Sequence, residues 1–323
     1  MIIVQSDQYF FSDFSSNSVS NILVDGSGNE YTVLTLSHWP GSPTPKELKA
    51  DLSTQIVFNY LEKPDYHVKE RAVTNNHFDE DGLMGIFTLV NPSFALEQKN
   101  FLIDIASVGD FEKYSSLDAM KIVFTIRDIV NKAKTQTDPA IFKASSSDKQ
   151  YRYFLDRLPD IIENIDTYFN HWKTQFNLEQ ELELFIQTDY ISLRNFDTYD
   201  LTVLELLSKD YPIEECRLLP YLLAFNTKIK NYRVLVKQDQ KYRFYYRYES
   251  WVEVVSSNPL PRINLTNLCS NLNKQEQEVV WKFNDWDELC TKRDKKSNLS
   301  LDDLLQYFFD YFDQNTTSWN PWA

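Results

Sequence analysis

His77, Asp79 and Asp81 alternate within the polar segment Asn76-His77-Phe78-Asp79-Glu80-Asp81-Gly82, so an extended or tightly looped backbone aims all three at one ion. Imidazole with carboxylates suits Mn²⁺, Fe²⁺ or Zn²⁺, and a set richer in oxygen suits Mg²⁺. Mn²⁺ is the preferred assignment for this mixed set. Gly82 lets a backbone come close, and the N–H groups of a helix starting there favour an anion such as phosphate. The competing reading is an acidic first helical turn, in which Asp79, Glu80 and Asp81 complement the helix dipole and His77 caps a strand. An EF-hand is excluded, because Leu83-Met84-Gly85-Ile86-Phe87 supplies no ligands at loop spacing.

Two further groups carry chemistry. His38, in His38-Trp39-Pro40-Gly41, is a candidate ligand or general acid, or else a histidine packed beside Trp39. Arg243 and Arg247 fall on one face if Arg243 to Trp251 is a single strand, together with Tyr245, Glu249 and Trp251. They can grip a substrate phosphate, with Arg262 as a third candidate, or Arg247 and Glu249 can form a structural pair. His67 and His171 read as ordinary surface residues.

These residues must be positioned by strands and helices. All six glycines, at 26, 28, 41, 82, 85 and 109, precede residue 110, so tight functional turns concentrate in the first third of the chain. Residues 22–37 predict a hairpin turning at Asp25-Gly26-Ser27-Gly28-Asn29. Thr44, Pro45 and Glu47 predict a capped helix to about Leu61. A strand over 71–74 leads into the acidic loop and a helix from about Gly82. The apolar run 101–106 predicts a strand ending at Gly109-Asp110, followed by a helix over 116–134. Strands separated by helices imply a mostly parallel sheet, with ligands at the carboxyl ends of its strands. His38, the 77–81 loop and Asp110 should converge there.

Residues 136–149 predict a linker, giving an α/β domain over 1–140 and a helical connector with a smaller α+β domain over 150–323. The connector helices fall at 150–187, paired strands at 232–237 and 241–251, and a last helix at 300–313 before an aromatic tail.

At 323 residues with 42% hydrophobic content, the chain can bury a sizeable core. No apolar run is long enough for a membrane span and the N-terminus lacks signal-peptide character. Three scattered cysteines suggest neither a disulfide framework nor a thiolate zinc site, which fits the cytoplasm. A formal net charge of −14 disfavours extended nucleic-acid binding and leaves a small phosphorylated substrate or nucleotide open.

The string from Thr74 to Met84 resembles the first motif of the DHH phosphoesterase superfamily, in which a strand runs into an Asp-rich loop ended by glycine. That resemblance implies a DHH-like fold for the first domain and paired divalent cations, commonly manganese, that hydrolyse phosphoesters or phosphoanhydrides. It implies His77, Asp79 and Asp81 as metal ligands, and Asp110 or Asp104 as the aspartate of the second motif. His38 would stand in for a ligand of the motifs that have no counterpart here: there is no Asp-His-His triplet and no glycine beyond Gly109. His38-Trp39-Pro40-Gly41, His77 to Gly82 and Arg247-Tyr248-Glu249-Ser250-Trp251 together resemble a bacterial family without an assigned activity. The two function classes to be distinguished are therefore a metal-dependent phosphoester hydrolase and a non-catalytic metal- or nucleotide-binding regulator.

Overall fold

The computed structural model describes residues 8–14, 18–136, 147–169, 191–207, 229–284 and 288–316. The chain divides into two compact units, Met1–Thr174 with Val252–Ser257, and Gln175–Trp251 with Asn258–Ala323. The sequence-predicted linker core, His171, Cys216, the connector segment 170–187 and the aromatic tail lie outside the described residues.

In the first unit, β1 (Phe10–Phe11), β2 (Asn21–Val24), β3 (Thr32–Leu36) and β4 (Ala72–Thr74) form a parallel sheet in the order β1-β4-β2-β3. Its two central strands, Asn21-Ile22-Leu23-Val24 and Ala72-Val73-Thr74, are buried at every position, as a sheet covered on both faces requires. The expected hairpin over 22–37 is corrected to a parallel pair. Asp25 and Gly26 take positive φ, 54° and 99°, and residues 25–31 run back along the sheet so that Thr32 pairs with Asn21. The Thr32 hydroxyl donates to Asn21 Oδ1 at 2.9 Å and fixes that restart. As a result β2, β3 and β4 all end at the same edge.

The helix expected from Thr44 begins instead at Ser53 as α1 (Ser53–Glu62), after a single 3₁₀ turn at Lys46–Leu48. Thr44 is recruited elsewhere, accepting from the Ser37 N–H at 2.9 Å and lying 2.8 Å from the Ser37 carbonyl. The cap of α1 comes from a distant loop. Ser53 and Thr54 N–H groups donate to the two oxygens of Asp81 at 2.7 and 2.8 Å, meeting orphan donors of the first turn.

Next come α2 (Glu80–Val90), α3 (Pro92–Glu97), α4 (Lys99–Phe111), α5 (Leu117–Gln136), α6 (Ser147–Glu163) and the short α7 (Ile165–Tyr168). The strand expected over 101–106 is the middle of α4. A short apolar run fits either element, and here burial at Leu102, Ile105 and Ala106 follows the helical spacing of three and four. Asp104 and Asp110 therefore stand on a helix, not at a strand end. Helix α2 is buried at every position from Glu80 to Leu89, which makes it the central helix of this unit.

In the second unit, β5 (Ile191–Phe196), β6 (Leu201–Leu206), β7 (Arg233–Gln238), β8 (Lys241–Tyr246), β9 (Trp281–Asn284) and β10 (Glu288–Thr291) form a mixed sheet, ordered β5-β6-β7-β8-β10-β9. Only β6 and β7 are parallel. Alternation along β8 sends Tyr242, Phe244 and Tyr246 into a core shared with α8 (Thr266–Gln275) and α9 (Leu301–Gln314). Phe308 is fully buried there, 4.9 Å from the Phe244 ring. Phe308→Ala is expected to destabilise this unit by about 3 to 5 kcal/mol. Amide hydrogen exchange in β7 and β8 should accelerate accordingly, while α2 is unaffected.

Among the described residues, no helix is long and apolar enough to cross a membrane.

Candidate metal centre

Parallel register builds the site. Val24 pairs with Leu36 and Leu23 with Thr74, so the residues that follow, Asp25, Ser37-His38 and Asn75-Asn76-His77, emerge side by side. Gly26 is required by this crowding as well as by its φ of 99°. A Cβ there would lie 2.2 Å from Asn76 Oδ1.

Asp25 lies between two histidines. Its Oδ1 is 3.5 Å from His38 Nε2, and its Oδ2 is 3.1 Å from His77 Nε2. His38 Nε2 also faces Asp110 Oδ2 at 3.3 Å and Asp81 Oδ2 at 3.8 Å, and His77 Nε2 meets Asp79 Oδ2 at 2.7 Å. Two ligand sets follow, Asp25, His38 and Asp81, and Asp25, His77 and Asp79, in each of which the ligand atoms lie within 4.8 Å of one another. Asp25 is common to both.

The surrounding bonds orient these groups as metal ligands are usually oriented. Both imidazoles turn Nδ1–H away from the cluster, His38 to the Asp51 carbonyl at 2.6 Å and His77 to Asn76 Oδ1 at 2.9 Å. That arrangement leaves each Nε2 directed at carboxylates. Ser53 Oγ donates to Asp25 Oδ1 at 2.8 Å, and Asp79 caps α2 by accepting from the Gly82 N–H at 2.8 Å. Asp25 Oδ2 and Asp110 Oδ2 are buried, with the Nε2 atoms of His77 and His38 facing them at 3.1 and 3.3 Å. Buried carboxylate oxygens are costly without a proton or a cation beside them. This buried Asp/His/Asp cluster has the donor set to hold a divalent metal ion.

The two sets differ in access. Side chains of His38, Asp25, Asp81 and Asp110 are 0, 1, 0 and 6% exposed, whereas His77 and Asp79 reach 31 and 26%. One set is deep and the other opens to solvent beside Trp39, whose ring lies 5.1 Å from that of His77. Arg127 braces the deep side. Its guanidinium takes Glu80 in a forked pair at 2.9 and 3.2 Å and also donates to the Gly109 carbonyl at 3.2 Å, tying the start of α2 to the last turn of α4. Tyr151 of α6 places its hydroxyl beside the Asn75 amide over Gly82, within an aromatic group that includes Phe11 and Phe78.

Burial by itself would push both imidazoles down. For His38, the hydrogen bond to Asp110 and the charges of Asp81, Asp110 and Asp25 outweigh it and raise the group to about 10. For His77, the charge of Asp79 and hydrogen bonds to Asp25 and Asp79 raise it to about 11. Asp81 is pushed up to about 6 by burial and by the charge of Asp25, and Asp110 well above its ordinary range by burial. Asp25 goes the other way: burial is overcome by His77, His38 and Ser53, and its carboxyl is lowered. Without metal the cluster therefore holds protons that compensate its carboxylates.

Of the sequence-predicted residues, His38, His77, Asp79, Asp81 and Asp110 come together. Asp104 does not; its carboxylate accepts from the Ser115 and Ser116 N–H groups at 2.7 Å each, before α5. The shared face expected along Arg243 to Trp251 is corrected, because β8 ends at Tyr246 and Tyr248–Ser250 is a 3₁₀ turn. The three arginines lie in the second unit. Arg243 pairs with Glu288 at 3.0 Å, and Arg247 with Glu249 at 2.6 Å and the Ile229 carbonyl at 2.8 Å. Arg262 donates to Ser250 Oγ and the Arg247 carbonyl at 2.9 and 3.0 Å. His67 is tied to the Tyr60 carbonyl at 2.8 Å.

Asp25 escaped the sequence reading. Its signal was an acid directly after the apolar strand Ile22-Leu23-Val24 and before a glycine, the position of a ligand at a parallel strand end. Reading 25–29 as a hairpin turn concealed it.

No curated protein and no solved structure matches the chain. The model of a family of unknown function, DUF6687, matches residues 7–321, nearly the whole chain, and the protein belongs to that family.

Proposed function

We propose that the protein is a divalent-metal-dependent hydrolase of a phosphoester or phosphoanhydride, working with two ions that share Asp25, and that Mn²⁺ is the preferred ion. The observation that supports this most is the placing of the Asp25 oxygens toward two different histidines, 3.5 and 3.1 Å away. Four carboxylates, Asp25, Asp79, Asp81 and Asp110, balance the charge of two dications once both imidazoles are neutral. The mixed nitrogen and oxygen set fits Mn²⁺, with Mg²⁺ or Zn²⁺ as alternatives.

Bound divalent ions would supply an acidified water and offset charge on phosphoryl oxygens. His38, Asp81 and Asp110 form the enclosed wall, and the half-exposed edge of His77 and Asp79 is where a small phosphorylated substrate or nucleotide enters. The start of α2 adds its dipole to an anion held there. The resemblance of the Thr74 to Met84 string to the first DHH motif supports the same chemistry.

Titration of the metal-free protein with Mn²⁺, followed by calorimetry and melting temperature, is expected to show two equivalents. The loaded protein should hydrolyse bis(4-nitrophenyl) phosphate or a member of a nucleotide panel. Absence of binding overturns the metal reading. Binding without turnover under Mn²⁺, Mg²⁺ and Zn²⁺ identifies a metal- or nucleotide-binding regulator instead, the class favoured by the missing Asp-His-His triplet.

A further inference from the structure

The segment Val252–Ser257 belongs to the first unit, although the residues on both sides of it belong to the second. It lies against the loop that carries His38. The Glu253 N–H donates to the His38 carbonyl at 2.8 Å, and its carboxylate accepts from the Gly41 N–H at 3.0 Å and pairs with Lys49. Asp51 makes the second attachment. Its Oδ1 accepts from the Val255 and Ser256 N–H groups at 2.7 and 2.9 Å, and its Oδ2 accepts from the Ser256 hydroxyl.

Asp51 is also the residue whose carbonyl takes the His38 Nδ1–H at 2.6 Å. One residue thus joins the strap to the imidazole, its carboxylate on the strap and its carbonyl on the ring. The His38 backbone is held from its other side by Ser53 Oγ, which accepts its N–H at 3.2 Å. Partners of this kind fix which ring nitrogen faces a metal and how the ring is oriented, and losing one typically costs about 10- to 100-fold in metal affinity.

We infer that the strap Val252–Ser257 is a working part of the metal centre, with Asp51 as a positioning residue that holds His38 Nε2 toward Asp25, Asp81 and Asp110. This rests on the proposal that His38 is a ligand, and it names a determinant of that ligand far away in the sequence. The strap acts through the Asp51 peptide and the His38 carbonyl.

The test compares Asp51→Ala, Asp51→Asn and Glu253→Ala in the full chain. Asp51→Ala removes both acceptors of the strap, whereas Asp51→Asn keeps an oxygen for the Val255 and Ser256 N–H groups. With Mn²⁺ as the probe, Asp51→Ala should weaken one of two equivalents by about 10- to 100-fold and leave the other unchanged, while Asp51→Asn stays near wild type. Glu253→Ala should weaken the same equivalent. A second readout needs no metal: the His38 Nδ1–H resonance of the metal-free protein should exchange with solvent faster in Asp51→Ala and at the wild-type rate in Asp51→Asn. Unchanged exchange and unchanged affinity in Asp51→Ala overturn the inference, as does an Asp51→Asn variant that behaves like Asp51→Ala. A wild type that binds no Mn²⁺ overturns the metal reading, and the exchange measurement still decides the role of the strap.

Discussion

Asp25→Asn is expected to abolish both metal equivalents at once, weakening each by more than about 100-fold, above the loss typical of a residue that only supports a ligand. The substitution keeps the size of the side chain and an oxygen for the Ser53 hydroxyl, so the turn at 25–31 has no steric reason to move. It removes the charge and one of the two oxygens that face separate histidines. Substitutions at the other ligands should be selective. Asp110→Asn should remove the deep equivalent and spare the open one, because Asp110 approaches His38 only. His77→Ala should do the reverse. Calorimetric titration with Mn²⁺ separates these patterns by stoichiometry, and loss of a single equivalent in Asp25→Asn would show that the carboxylate is not shared.

Metal affinity should also rise steeply with pH. Without metal, His38 and His77 are raised to about 10 and about 11, so both carry protons at pH 7, and coordination through Nε2 must expel them. Each proton released adds about tenfold in affinity per pH unit, so two give about 100-fold per unit between roughly pH 7 and 9. Calorimetry in buffers of different ionisation enthalpy counts the protons directly, and fewer than one would contradict the arrangement. Stability follows the same linkage. A histidine raised above its unfolded value of 6.5 contributes stability fully present below pH 6.5 and lost as pH rises through 10 to 11. The raised carboxyl of Asp81 acts in the same direction at lower pH, its contribution fully present below 3.8 and lost as pH rises through about 6. The metal-free protein should therefore melt at progressively lower temperature from pH 7 to 10, and the loaded protein should resist that decline.

The gathering of His77, Asp79 and Asp81 at one place was legible because they are polar side chains set between an apolar strand and an apolar helix, a local pattern. Convergence of His38 with Asp110 was also anticipated, although from a wrong element: a six-residue apolar run carries too little periodicity to separate strand from helix, and tertiary burial decided for helix α4. Asp25 was not legible. Two short apolar strands around an Asp-Gly turn satisfy the hairpin pattern, and only the backward course of 25–31 makes the pair parallel. Thr44, an N-cap by every local signal, is taken up by hydrogen bonds with Ser37, and the real cap of α1 is Asp81, 28 residues downstream of Ser53. Long-range partners of this kind leave no trace in local spacing.

The strap has a consequence for how the protein is made. Residues 175–251 must all be synthesised between the last long stretch of the first unit and the segment that completes it. At about 5 to 20 residues per second, that interval is roughly 4 to 15 s. During it, the nascent first unit has the sheet, α1, α2 and all six candidate ligand side chains, but its His38 loop lacks the Glu253 N–H, and the Asp51 carboxylate lacks the Val255 and Ser256 N–H groups. If the cluster binds metal as proposed, an ion captured in this window would meet a His38 loop not yet tied by the strap, and the finished pocket would exist only after translation has passed Ser257.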